Sequence, residues 1–199
     1  MMKFNKNNLL LVVACKEESN NLLEKLGVKM IYTGVGKVNA SYNLTKVLYK
    51  LKNQNINIKY VINVGSAGSK KFKNGSLVVC NKFIQKDMDC TAFDYYKLGE
   101  TPQDALPIII EHKRFLDDLE YGICGSGDKF ETEECKIKEV EVVDMEAYAL
   151  AKVCKLENID FIAIKYITDG LEENGTDDQN NNVLDSPESF YNYLNEVLI

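Results

Sequence analysis

"VVDMEAYALA", residues 142–151, sets a short β-branched run directly against the start of a small-residue helix. Val142 and Val143 read as the end of a buried strand. Ala147, Leu150, Ala151 and Cys154 recur at i, i+3, i+4 and i+7, the stripe of a helix that lies on a core. A helix is expected over Asp144–Glu157, with Asp144 capping its free N–H groups and Glu146 in its first turn. Met145 and Glu146 are left without a structural task. An apolar side chain and a carboxylate, exposed together at a strand-to-helix junction, match the chemistry of a ribose, which has one hydrophobic face and a rim of hydroxyls.

The same order of elements recurs on either side of this stretch. "LLLVVA" (9–14) reads as a buried strand, and "KEESNNLLEKLG" (16–27) follows with Leu22, Leu23 and Leu26 at helical spacing and Gly27 as a stop. "VKMIYTG" (28–34) and "KVNASYNLTKVLYKL" (37–51) repeat strand and helix, and "YVINVGSAGS" (60–69) reads as a strand ending in a glycine-serine loop. Downstream, "SLVVCNKFIQ" (76–85) is expected to be a strand, "EHKRFLDDLE" (111–120) a helix and "YGICGSGD" (121–128) a strand leading into a loop. "FIAIKYIT" (161–168) is a further strand, and a last helix falls within "SPESFYNYLNEVLI" (186–199). Near-continuous apolar strands alternating with helices predict an α/β sheet covered on both faces, formed by one domain over residues 1–199. "LEENGTDDQNNN" (171–182), the one strongly polar stretch, reads as a mobile loop.

Composition narrows the function classes. Thirty acids against 24 bases give a net charge of −6, which argues against a phosphate backbone or an anionic membrane as partner. A small molecule suits this charge better. The bases include a single arginine, Arg114, and there is a single histidine, His112. Six cysteines without CxxC spacing are expected to be free thiols in a reducing compartment, and neither a metal site nor a cofactor is expected. No apolar run approaches the length of a membrane span, "LLLVVAC" lacks the features of a signal peptide, and the protein reads as cytoplasmic.

In such sheets ligands collect where strands end. Glu17 and Glu18 stand after the first strand, where acids also complement a helix dipole. "YTGVGKVNAS" (32–41) and "NVGSAGS" (63–69) match neither a P-loop nor a dinucleotide fingerprint; their glycines permit either close backbone approach to a ligand or a tight turn. Asp169-Gly170 at the end of "IAIKYITDG" (162–170) is a turn former or a strand-end acid. Three separated acids at three strand ends supply acid and base groups.

Taken in order, "ACKEES", "TGVGKVNAS", "VINVGSAG", "DMDCTAFDY", "GSGDKF", "VVDMEAYALAKVC" and "IKYITDG" make the chain resemble the nucleoside phosphorylase superfamily. Within it, the chain resembles the 5′-methylthioadenosine/S-adenosylhomocysteine nucleosidases. The resemblance implies a three-layer αβα domain with a central mixed, barrel-like sheet, assembled as a homodimer. It implies that Met145 packs on the sugar, Glu146 accepts from its 2′ and 3′ hydroxyls, Asp169 protonates purine N7, and Glu18 activates the attacking water. Phe130 would stack on the base and Ser66 would lie near the nucleophile. Ala67, Gly68, Glu131, Asp144, Thr168 and Cys15 complete the implied substrate contacts. The implied partner is a purine nucleoside, with adenine as the released base.

Phosphorylases of this superfamily resemble one another in clamping phosphate with arginines, for which the guanidinium fork is suited. Only Arg114 is present, away from the glycine loops, so water is the expected nucleophile. Departures from the family pattern bear on the substrate: Lys16 replaces an acid, Lys165 stands where an arginine is common, and the segment between "GETPQDALP" and "YGICGSGD" is trimmed. A futalosine-hydrolase-like nucleosidase, a phosphorylase, and a catalytically weak nucleoside-binding protein remain the alternatives.

Overall fold

The computed structural model describes residues 2–171 and 183–199, so most of the polar stretch read as a mobile loop lies outside the described residues. The strands are β1 (Leu9–Val13), β2 (Lys29–Tyr32), β3 (Tyr60–Gly68), β4 (Leu77–Gln85), β5 (Ile110–Glu111), β6 (Glu120–Ser126), β7 (Val142–Asp144) and β8 (Asp160–Asp169). The helices are α1 (Lys37–Asn53), α2 (Ala147–Leu156) and α3 (Ser186–Val197).

The strands form one mixed sheet in the order β2-β1-β3-β7-β6-β4-β5. β8 pairs parallel with β3 and antiparallel with β4, so β3, β7, β6, β4 and β8 close into a ring. The period of two along each strand sorts its side chains between two cores. Leu10, Val12 and Val61 pack with Ala40 and Leu44 of α1 and Leu150 of α2. Leu9, Leu11, Val13 and Ile62 pack with Phe190 and Leu194 of α3 on the other side. These three layers are the expected helix-sheet-helix arrangement around a barrel-like sheet.

Four local expectations are corrected. The helix expected over residues 111–120 does not form: the backbone N–H groups of Phe115 and Leu116 both donate to the Tyr121 hydroxyl, at 3.2 Å each. Arg114, expected on that helix, instead lies 3.8 Å over the Tyr121 ring. After β1, Asn20 and Asn21 adopt left-handed backbone (φ 43° and 56°), which leaves only one 3-10 turn at Leu23–Leu26, stopped at Gly27 (φ 67°). The glycine-serine segment is strand rather than loop, because β3 pairs with β8 through Gly68 with a register shift at Ala67/Gly68. Finally, α2 begins at Ala147, since Asp144 pairs with Ser126 as the last residue of β7. Its carboxylate still caps the helix, accepting from Ala147 N at 2.9 Å.

Candidate active site

A cavity of about 280 Å³ opens where β1, β3, β7 and β8 end. That is close to the lower end of the range for small-molecule sites, about 300–1,000 Å³. Cys15, Glu18, Ser66, Ala67, Gly68, Phe130, Glu131, Asp144, Met145, Glu146, Thr168 and Asp169 all line it. Every site residue named from the sequence therefore meets at one place, although they come from five separate stretches of chain.

Glu18 is buried and its carboxylate is held from β3 and from the residue that follows β1. Ser66 donates to Oε1 through both its backbone N–H (2.7 Å) and its hydroxyl (2.9 Å), and Ala14 N donates to Oε2 (3.3 Å). A side chain at position 65 would crowd this arrangement, because a Cβ there would lie 3.0 Å from Glu18 Oε1. The second glycine of the segment does the same for the other acid. A Cβ on Gly68 would stand 2.7 Å from Asp169 Oδ1 and 2.4 Å from Leu171 Cδ2.

Asp169 is 2% exposed; Leu171 N and the Thr168 hydroxyl donate to its two carboxylate oxygens, at 3.1 Å each. The bulge between Ala67 and Gly68 explains how both glycines face acids although they are three residues apart on one strand. Gly68→Ala is expected to destabilise the fold by about 1–3 kcal/mol through overpacking, and to lower activity by displacing Asp169. Urea denaturation and a base-release assay check both effects. Parent-like stability and turnover would show that the Gly68 space is dispensable.

Next to these acids sits a buried ion pair, Lys165 Nζ to Asp144 Oδ2 at 2.7 Å, with both side chains at 2% exposure or less. Burial alone would raise the Asp144 pKa, but Lys165, the Ser126 hydroxyl and the Ala147 N–H outweigh it and hold the carboxyl below its ordinary value. For Lys165, burial is outweighed in turn by Asp144, and its pKa is raised. The pair anchors the start of α2, because the Ser126 hydroxyl bridges Asp144 Oδ1 and the Tyr148 N–H.

Glu146, expected to be exposed, is 8% exposed, a correction that goes with the Gly36 backbone, just before α1, reaching its carboxylate. The N–H of Gly36, which has left-handed φ of 91°, donates to Glu146 Oε1 at 2.8 Å, so the first glycine segment does bring backbone to the site. Burial, reinforced by Asp144 and Glu18 and opposed by Lys165, pushes the Glu146 pKa up to about 7. Met145 beside it is half-buried and faces the cavity.

Cys15 is half-buried at the cavity wall; burial and then Glu18 push its thiol up to about 12, which makes it an apolar surface rather than a nucleophile. All six cysteines are free. Val35, Val143 and Leu171 also line the cavity and were not anticipated, since an apolar residue next to a glycine or a strand end carries no distinctive pattern. Lys86, which pairs with Glu131, was missed for a similar reason: one lysine after a strand reads as solvated surface.

A closed mixed sheet flanked by helices, with carboxylates gathered at strand ends around a small cavity, defines a nucleoside phosphorylase-like fold. The pattern of the phosphorylase superfamily matches residues 20–197. A 5′-methylthioadenosine/S-adenosylhomocysteine nucleosidase of Haemophilus influenzae (strain PittGG) is 33% identical over 72% of this chain and 68% of its own length. The nucleosidase of the same description from Bacillus subtilis (strain 168) is 31% identical over 76% and 73% respectively. The chain belongs to the phosphorylase superfamily and, within it, to the family of the 5′-methylthioadenosine/S-adenosylhomocysteine nucleosidases. Among solved structures, a Helicobacter pylori MTAN mutant with 5′-methylthioadenosine in the active site superposes with a TM-score of 0.85, covering 96% of this chain and 97% of that one, at 21% identity. Futalosine hydrolase of Helicobacter pylori gives 0.84 over 95% and 96%, at 22% identity. At these identities the two structures speak for the fold alone.

Proposed function

We propose that the protein is a purine nucleosidase that hydrolyses the N-glycosidic bond of 5′-methylthioadenosine, S-adenosylhomocysteine or a related 5′-substituted adenosine, releasing adenine. The observation that carries this reading is the pair Glu18 and Asp169, each given room by a glycine of one strand, in a cavity that Met145 and Glu146 share.

In the reaction, water oxygen attacks C1′, the C1′–N9 bond breaks, and its electron pair leaves with the purine. Positive charge develops on the ribose and negative charge on the base in an oxocarbenium-like transition state. Glu18 takes the proton of the attacking water, and Asp169 gives a proton to N7, so the base leaves neutral. Phe130 stacks on the base, Met145 covers the sugar's apolar face, and Glu146 accepts from the 2′ and 3′ hydroxyls. Thr168 and Ser66 orient Asp169 and Glu18.

Water rather than phosphate is favoured as nucleophile by the charge of the cavity. Among the described residues its one basic lining residue is Lys129, while Arg114, the one arginine of the chain, pairs with Asp117 and does not line it. Incubation with 5′-methylthioadenosine, S-adenosylhomocysteine, adenosine and inosine, with and without phosphate, tests this. Free adenine without phosphate, fastest from a 5′-thio substrate and accompanied by a free reducing sugar, is the expected result. Release that requires phosphate would make it a phosphorylase. Release only from a substrate with a different 5′ group would favour the futalosine hydrolase kind of nucleosidase, whose fold is equally close.

Glu146 adds a pH signature. Its raised pKa means that the ligand-free site holds the acid protonated below about pH 7, whereas accepting from two hydroxyls requires the carboxylate. The kcat/KM of the parent is therefore expected to fall as pH drops below 7, by at most about tenfold per pH unit. Glu146→Gln should remove that limb while lowering kcat/KM throughout. An identical acid limb in parent and variant would assign it to another group.

The same reading includes a homodimer in the cytoplasm. Val38, Tyr42 and Tyr49, exposed along α1, offer apolar surface for an association that light scattering would detect. Among the described residues no helix is long and apolar enough to cross a membrane.

A further inference from the structure

We infer that Glu131, held in place by the buried ammonium of Lys86, selects purines carrying a 6-amino group over those carrying a 6-oxo group. This rests on the nucleosidase reading above. Lys86 follows β4 directly; its side chain is 4% exposed, and its Nζ donates to Glu131 Oε1 at 2.9 Å. Gly127 makes room for it, since a Cβ there would lie 2.9 Å from the Lys86 Nζ. A buried ammonium is costly unless paired, so this contact holds the carboxylate in one position instead of leaving it to solvent.

The division of the two carboxylate oxygens decides what the cavity meets. Oε1 is occupied by Lys86, which does not itself line the cavity, whereas Glu131 does. Among the described residues, Oε2 has the ammonium of exposed Lys129 at 4.0 Å. In the inferred arrangement Oε2 is the acceptor offered to the cavity, while Lys86 holds the other oxygen. Phe130, adjacent in sequence and lining the same cavity, stacks on the base in the proposed function, and Asp169 addresses N7. N7 and the 6-substituent share one edge of a purine. A 6-amino group on that edge donates to the carboxylate, while a 6-oxo group would turn its lone pairs against it and leave the carboxylate without a donor.

The test compares 5′-methylthioadenosine with 5′-methylthioinosine as substrates of the parent, Glu131→Gln and Lys86→Met. In Glu131→Gln, Lys86 keeps the amide oxygen and the amide N–H₂ turns to the cavity, a donor suited to a 6-oxo group. The ratio of kcat/KM for the amino over the oxo substrate is expected to fall about 10- to 100-fold, with the oxo substrate gaining. Lys86→Met, which frees the carboxylate from its position, should lower the ratio less. A ratio of two substrates does not depend on the fraction of folded enzyme, so it reads selection rather than stability. A Glu131→Gln ratio within twofold of the parent's would overturn the inference while leaving the nucleosidase reading intact, and an unchanged ratio in Lys86→Met would overturn the role of Lys86. A parent that releases base from neither substrate would instead defeat the nucleosidase reading, and this inference with it.

Discussion

Replacing Asp169 by asparagine is expected to lower kcat for 5′-methylthioadenosine by about 10²–10⁴, the usual contribution of a positioned general acid, with KM changed only a few-fold. The reasoning is geometric. Asp169 ends β8, is 2% exposed, and has its carboxylate fixed by Leu171 N and the Thr168 hydroxyl in the cavity that also holds Glu18. Asparagine keeps the size; its amide oxygen can accept from Leu171 N while its N–H₂ donates to the Thr168 hydroxyl oxygen, which can turn its own proton to Ala67 O, so binding should survive. What it lacks is the acidic proton that a departing purine needs at N7. Steady-state kinetics on folded variant checks this, and a loss below about tenfold would mean that the base leaves without help from this residue.

The second large effect concerns stability. Lys165→Met is expected to cost about 3–5 kcal/mol, because it leaves the Asp144 carboxylate buried without its cation. Asp144 also caps α2 and binds the Ser126 hydroxyl, so the uncompensated charge sits at a helix start that the cavity depends on. Removing both charges, as Lys165→Met with Asp144→Asn, should recover much of the loss, since a buried pair contributes far less than breaking it costs. Chemical denaturation of the three proteins gives the comparison. If the single variant lost less than about 1 kcal/mol, the pair would be behaving as a surface salt bridge does.

Much of this was legible in the sequence, for identifiable reasons. Strands β3, β4 and β8 of the ring are apolar runs long enough to declare themselves, and the stripe Ala147, Leu150, Ala151 and Cys154 is wholly buried as its spacing requires. The acids were legible because each stands just past such a run, and the resemblance to a nucleosidase family assigned them separate roles. What escaped depends on partners distant in the chain. The helix expected at residues 111–120 has an adequate pattern, but the Tyr121 hydroxyl takes its backbone donors. The burial of Glu146 goes with the Gly36 backbone, 110 residues earlier, reaching its carboxylate. Gly65 and Gly68 could be read as a loop until β3 and β8 are paired, whereupon they become the spaces in which Glu18 and Asp169 fit.

The central claim is the division of labour between those two carboxylates, and leaving-group dependence tests it most directly. The parent, Glu18→Gln and Asp169→Asn would each be assayed on 5′-methylthioadenosine and on the p-nitrophenyl glycoside of the same 5-methylthioribose, whose leaving group departs without protonation. Asp169→Asn should be crippled on the nucleoside yet keep nearly parental rates on the activated glycoside, while Glu18→Gln, lacking the group that activates water, should be slow on both. Equal losses on both substrates for Asp169→Asn, or unimpaired turnover by Glu18→Gln, would contradict the assignment of acid and base.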